Sequence, residues 1–388
     1  MFSKKIYQLV VTFFCLISLC ASARAKTLAP DQLPLVTRGA EIVDAHGNPI
    51  RLVSANWFGF DQGEYVVGGL ERAPLTEIAR QIRAMGFNSV RLPWANQTIE
   101  DNPVVPGFAL TANPQLQGKH ALEIMDVVIQ TLAGEGLMVI LDNHVSRADW
   151  CCNEKDGNGL WYNREYPESR WIGDWKTLVR RYKAQPYVVA VDLRNELRSG
   201  AQWGGDDPAL DWHAAAERGG NAILIENPNL LVMVEGTKYS LDFAGAKNLP
   251  VHLFVPNRLV YSPHNYGWSQ PTPQSYEAFK QHLDQDWGWL RSGDHAAPIW
   301  LGEIGICQDL VGCSQYGPWF SFLVRYMKET GASWGYWALN ATQSSGAGRL
   351  YGYPEGYGLL APDYQHIAAP EVLKQLETVG LNPQSKTK

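Results

Sequence analysis

Leu137-Met138-Val139-Ile140-Leu141-Asp142-Asn143-His144 is an unbroken apolar run that stops abruptly in three polar side chains. A strand with one wet face alternates apolar and polar residues. A continuous apolar strand is covered on both faces, as in parallel sheets flanked by helices. Outward from this stretch the pattern repeats, and eight strands are expected at 50–55, 88–93, 137–143, 188–194, 230–235, 259–263, 299–303 and 334–338. Between them the apolar period lengthens to three or four residues. Leu75, Ile78, Ile82 and Met85 follow Pro74, and Leu122, Met125, Ile129 and Leu132 precede Gly134 and Gly136. Further helices are expected around 171–182, 208–225, 276–290 and 319–330. A β-hairpin, turning at His46-Gly47-Asn48-Pro49, opens the series. Alternation of this kind predicts an α/β chain folded as a (β/α)8 TIM barrel. An open doubly wound sheet would need a glycine-rich phosphate turn after its first strand. That strand runs instead into Asn56-Trp57-Phe58-Gly59.

The polar residues that end these strands carry the functional information. Arg91, Asp142-Asn143-His144, Arg194-Asn195-Glu196, His264-Asn265-Tyr266, Glu303 and Trp337 all fall at carboxyl ends, which a barrel gathers into one mouth. Any one of them alone reads as a hydrogen-bonded structural residue. Carboxylates closing apolar strands are costly to bury without a purpose, and Glu196 and Glu303 both do so. Two carboxyl groups facing each other across a cleft suit cleavage of a glycosidic bond. One donates a proton to the departing oxygen, while the other, ionised, attacks carbon or activates water.

The amino terminus reads as a secretory signal over residues 1–25. Lys4 and Lys5 precede an apolar stretch from Ile6 to Leu19, and Ala23-Arg24-Ala25 forms a small-residue cleavage site. Removing Lys4, Lys5 and Arg24 takes the formal net charge from −6 to −9. An acidic chain without a basic stripe is a poor partner for nucleic acid or an anionic membrane, and no second long apolar run offers a membrane span. Neither a low-complexity linker nor an internal repeat divides residues 26–388, so one catalytic domain, acting as a monomer, is expected.

With these residues in place, the sequence resembles glycoside hydrolase family 5, the cellulase family of the retaining (β/α)8 clan. Arg91 in Val90-Arg91-Leu92-Pro93, His144 in Asp142-Asn143-His144, the pair Asn195-Glu196, His264 with Tyr266, Glu303 in Leu301-Gly302-Glu303, and Trp337 in Gly335-Tyr336-Trp337 match the residues that the family keeps around its cleavage point. The resemblance covers about Gly39 to Ala338. It implies a secreted β-glycosidase, endo-β-1,4-glucanase above all, acting by double displacement without cofactor or metal; mannan, xyloglucan and β-1,3-glucan are the alternative substrates. It implies Glu303 as nucleophile and Glu196 as acid/base. Arg91 and Tyr266 would hold Glu303, and His264 would assist Glu196. Asn195 and His144 would bind sugar hydroxyls above an apolar floor, Trp337. Where many relatives carry proline after the acid/base residue, this chain has Leu197. A carbohydrate-binding surface protein on the same barrel is the non-enzymatic reading, and it would be free to lose either glutamate.

Other features are less specific. Cys15 and Cys20 fall in the signal. Cys151, Cys152, Cys307 and Cys313 allow three pairings, of which a local Cys307–Cys313 bridge is favoured. The adjacent Cys151-Cys152 lacks the spacing of zinc ligands, and Asp156-Gly157-Asn158-Gly159 reads as turns, not a calcium loop. Of the 15 tryptophans, Trp57, Trp94, Trp150, Trp161, Trp203 and Trp268 sit at strand ends or in loops, where most should pack and a few should stack on sugars. His120, His213 and His295 have no motif around them and are expected at the surface.

Overall fold

The computed structural model describes residues 27–269, 272–310 and 313–382. The expected signal segment lies outside the described residues. Near the amino end, β1 (Val36–Arg38), β2 (Glu41–Val43) and β3 (Pro49–Ile50) pair antiparallel. The expected hairpin is therefore a three-stranded sheet, and Ile50 belongs to it and not to the barrel. Nine parallel strands follow: β4 (Val53–Asn56), β5 (Ser89–Ala95), β6 (Met138–Val145), β7 (Val188–Asp192), β8 (Leu231–Val234), β9 (Leu259–Tyr261), β10 (His264–Tyr266), β11 (Trp300–Gly305) and β12 (Ser333–Tyr336). Their order in the sheet is β10-β11-β12-β4-β5-β6-β7-β8-β9. The two ends of that order, β9 and β10, are separated in the chain only by Ser262 and Pro263. They form one barrel strand interrupted where proline has no N–H for the ladder. Tyr261 also bridges to Ile299, so the sheet closes on itself as the expected barrel.

Side-chain parity explains how strands so apolar deliver polar groups to one end. In β6, Val139 and Leu141 pack outward against the helices, while Met138 and Ile140 point into the barrel with Leu231, Met233 and Trp300. The same inner cluster contains Leu28, Leu35, Ile42 and Ile50, so the amino-terminal sheet plugs the bottom of the barrel. Continuing the inward parity of β6 brings Asp142, and beyond it His144, to the top.

Two irregularities adjust this parity at the mouth. The β5–β6 register shifts after Trp94↔Asn143 to Ala95↔Val145, which leaves His144 without a partner. The β11–β12 register shifts between Leu301 and Ile304, both of which pack outward, and Glu303 lies between them. The second bulge re-aims Glu303, which strict alternation would turn outward with Leu301.

The helices serve the site from behind. Trp171 and Trp175, on the helix Glu168–Arg181, both donate indole N–H groups to the Leu193 carbonyl at 3.2 Å. Trp212, at the start of the helix Trp212–Glu226, donates to the Glu235 carbonyl at 2.8 Å. These fully buried rings fix the ends of β7 and β8, and truncating one such side chain costs about 3–5 kcal/mol. Much of the tryptophan content is thus core. Trp57, Trp94 and Trp161 are fully buried as well. His213, expected at the surface, is buried and approaches the Pro250 carbonyl at 3.2 Å. Its position on the inner face of a helix outweighs the absence of a motif. Among the described residues no helix is long and apolar enough to cross a membrane.

Candidate active site

A cleft of about 600 Å³ opens at the carboxyl ends of the strands. Of the eight residues singled out from sequence, His144, Asn195, Glu196, Tyr266, Glu303 and Trp337 line it. Arg91 and His264 do not reach its surface; they are 0% and 1% exposed and act on it from beneath.

Arg91 is the hub. Its guanidinium donates to Glu303 Oε1 at 2.7 Å, Asp192 Oδ2 at 3.0 Å, Asn195 Oδ1 at 3.0 Å, Asn56 Oδ1 at 3.1 Å and Glu235 Oε1 at 3.2 Å. Asp142 Oδ1 stands 3.1 Å away. Asp142, Asp192 and Glu235 have oxygens within 4.8 Å of one another, and the guanidinium occupies the position a cation would otherwise take. Burial pushes the Asp192 carboxyl well above its usual range, and neighbouring Glu235 pushes the same way. Burial works against the Arg91 charge too, yet the surrounding carboxylates hold it firmly protonated.

The two candidate catalytic carboxyls meet across the cleft, with oxygens within 4.8 Å. Their surroundings differ. Burial raises Glu303, but His264, Arg91 and His144, with a 2.7 Å hydrogen bond from Tyr266, outweigh it and hold the carboxyl below its ordinary value. Burial also raises Glu196, and there it prevails over the 3.0 Å contact with His264 Nδ1. His264 lies between the glutamates, with its other nitrogen 3.3 Å from Glu235 Oε1. Burial opposes its charge, but Glu235 and Glu303 raise its pKa well above the usual imidazole value. Gly302 makes room for this histidine. A Cβ there would sit 2.9 Å from His264 Nε2 and 2.6 Å from Ser262 Oγ.

Glu196 occupies left-handed backbone at φ 45°, a conformation that costs a residue other than glycine about 1–3 kcal/mol. Its N–H donates to Glu235 Oε2 at 2.8 Å and its carbonyl accepts from Arg198 at 2.7 Å, and these bonds secure the strained turn. Trp337 stacks between Phe58 at 5.4 Å and His144 at 5.3 Å, forming an apolar wall. Of the strand-end tryptophans, Trp150 and Trp268 line the cleft, whereas Trp203 packs among Phe243 and Tyr261.

Sequence reasoning missed several contributors. Tyr239 lines the cleft from a run, Lys238 to Ser240, in which all three residues have positive φ without a glycine. Its N–H donates to the Leu197 carbonyl at 2.9 Å and its hydroxyl to Glu154 at 2.7 Å. Gln343, Arg349, Glu355 and Tyr357 enter from the segment after β12, and only the fold brings that segment back over the mouth. Asp156 is engaged by Arg198 at 2.5 Å. The sulfurs of Cys307 and Cys313 are in contact, at the favoured pair, and so are those of Cys151 and Cys152.

The model of the cellulase family, glycosyl hydrolase family 5, matches residues 43–343. The chain belongs to glycosyl hydrolase family 5. An endoglucanase of Paenibacillus polymyxa is 37% identical over 81% of this chain and 81% of its own length. The major extracellular endoglucanase of Xanthomonas campestris pv. campestris is 32% identical over 85% of this chain and 70% of its own. Among solved structures, a hyperthermophilic endocellulase from the archaeon Pyrococcus horikoshii superposes with a TM-score of 0.78 at 27% identity, covering 91% of this chain and all of that one. The same archaeal enzyme has been solved with cellotetraose. This family 5 member is accordingly a glycoside hydrolase on a (β/α)8 barrel.

Proposed function

We propose that this glycoside hydrolase is a secreted endo-β-1,4-glucanase that retains anomeric configuration by double displacement. The observation that carries the reading is the pairing of Glu196 and Glu303, with oxygens within 4.8 Å and opposed electrostatic surroundings. Retaining enzymes place their carboxyls about 5–5.5 Å apart, whereas inverting ones need about 6.5–9.5 Å to admit a water. Glu303, ionised and aimed by Arg91 and Tyr266, attacks the anomeric carbon. Glu196 passes its proton to the departing glycosidic oxygen. In the second step Glu196 takes a proton from water, which attacks the same carbon and releases Glu303. Asn195 and His144 offer N–H donors to the sugar in between, with Trp337 beneath it. The names of the relatives and the neighbour solved with cellotetraose favour a β-1,4-glucan. Residues 26–388 serve as one monomeric catalytic domain after removal of the signal, with both cysteine pairs oxidised.

Release of reducing ends from carboxymethylcellulose, barley β-glucan, mannan and xyloglucan tests the substrate. The two glucans should be cut fastest. Preference for mannan would overturn the glucanase assignment, and inertness on all four would overturn hydrolysis of β-glycans.

The pH profile tests the roles. Activity needs Glu303 ionised and Glu196 protonated, so the acid limb follows Glu303 and the alkaline limb Glu196. The plateau should begin below the ordinary glutamate range and end above it. Tyr266→Phe removes a donor from ionised Glu303. Its carboxyl becomes harder to ionise, so the acid limb should move to higher pH while kcat falls about 10-fold. An acid limb that stays in place would show that Glu303 does not govern it.

A further inference from the structure

Cys151 and Cys152 stand where the sugar-facing donors of the cleft converge. Asn195 Oδ1 accepts from Arg91 at 3.0 Å, which turns Nδ2 toward the two sulfurs, at 3.9 Å from Cys151 and 3.8 Å from Cys152. His144 engages Asp142 through Nδ1 at 2.7 Å, and its Nε2 reaches the Cys151 sulfur at 3.6 Å. Both cysteines line the cleft, and Cys151 is 8% exposed. Sulfur is a weak acceptor. It can orient an N–H without satisfying it, leaving that donor available for a hydroxyl of a bound sugar.

We propose that the joined sulfurs of Cys151 and Cys152 are a positioning device, holding Asn195 Nδ2 and His144 Nε2 in register with the hydroxyls of the sugar being cleaved. The inference rests on the glycanase reading and on oxidation of this pair. Bonded sulfurs lie about 2.05 Å apart, whereas two thiols must separate to van der Waals contact, roughly 3.6 Å. A dithiol such as dithiothreitol supplies the two electrons and two protons, breaks the S–S bond to give two thiols, and leaves as its own cyclic disulfide. Asn195 Nδ2 and His144 Nε2 both touch these sulfurs, so the separation moves at least one sulfur relative to the donors it orients. A misplacement near 1 Å can cost about 100-fold in rate. The loss falls on kcat because contacts to the hydroxyl beside the reacting carbon strengthen in the transition state.

The experiment compares wild type, C151A/C152A and C307A/C313A on a nitrophenyl β-cellobioside, each with and without dithiothreitol. Thermal unfolding shows that each variant is folded. Reduction should lower kcat of wild type and of C307A/C313A by about 10- to 100-fold with KM nearly constant. C151A/C152A should already be slow and indifferent to reductant. On the analogue lacking the 2-hydroxyl in the sugar that bears the nitrophenyl group, the gap between wild type and C151A/C152A should shrink. Wild-type kcat in folded C151A/C152A would overturn the proposal. So would an equal deficit on both substrates, or free thiols at 151 and 152 before reduction. An inactive wild type would instead overturn the glycanase reading beneath it.

Discussion

Glu303→Ala is expected to lower kcat on β-glucan by at least about 10⁴-fold, equivalent to about 5.4 kcal/mol of barrier, with the fold intact. The side chain is nearly buried, and it accepts hydrogen bonds from Arg91 and Tyr266 that fix its direction toward the cleft. Among the described residues the other carboxylates near it are committed elsewhere: Glu196 faces it with its own role, and Glu355, which also lines the cleft, is paired with Arg349. Asp142, Asp192 and Glu235 are fully buried around Arg91 and do not line the cleft. Alanine leaves a cavity on the face where nucleophilic attack occurs, and a small anion can enter it. Azide supplied with an activated β-cellobioside should therefore restore turnover and give the α-glycosyl azide, since one displacement replaces two. Formation of the β-azide would mean that residue 303 is not the nucleophile, and normal turnover without azide would remove it from the reaction.

Glu196→Ala should discriminate between substrates. Its first duty is to protonate the leaving oxygen, so the loss on natural glucan should be about 10³- to 10⁴-fold. A dinitrophenyl β-cellobioside, whose leaving group needs no proton, should still form the glycosyl-enzyme at close to the normal rate. Hydrolysis of that intermediate then becomes limiting, because activation of water has also been lost. Azide should accelerate it and yield the β-glycosyl azide, the opposite anomer to that from Glu303→Ala. Equal damage on the two leaving groups would remove residue 196 from the acid/base role.

The two variants separate because the glutamates have different surroundings, and this part of the site was the least legible in the sequence. That both residues close apolar strands follows from local pattern, and so does their convergence, since a barrel collects strand ends. The inward aim of each does not. Strict alternation would have turned Glu303 outward with Leu301, and the register shift in β11 corrects it. His144, by contrast, keeps the inward parity that Met138 and Ile140 set in β6. Tyr239 gave no signal at all. Its left-handed turn contains no glycine and persists because Leu197 and Glu154 hold it. His213 was misread because an isolated polar residue carries no mark of the face on which its helix packs.

By itself the sequence determined the succession of strands and helices, the closure of that succession into a barrel, and the identity of the polar residues at its mouth. These follow from the periodicity of burial, which neighbouring residues encode. The tertiary structure alone decided which carboxyl is held ionised and which is pushed toward its protonated form. That difference is a sum of short-range charges and desolvation from β5, β6, β8, β10 and β11. Arg91, His144, Glu235 and His264 are far apart along the chain, and their fields act only once the barrel has brought them within a few ångströms of residues 196 and 303.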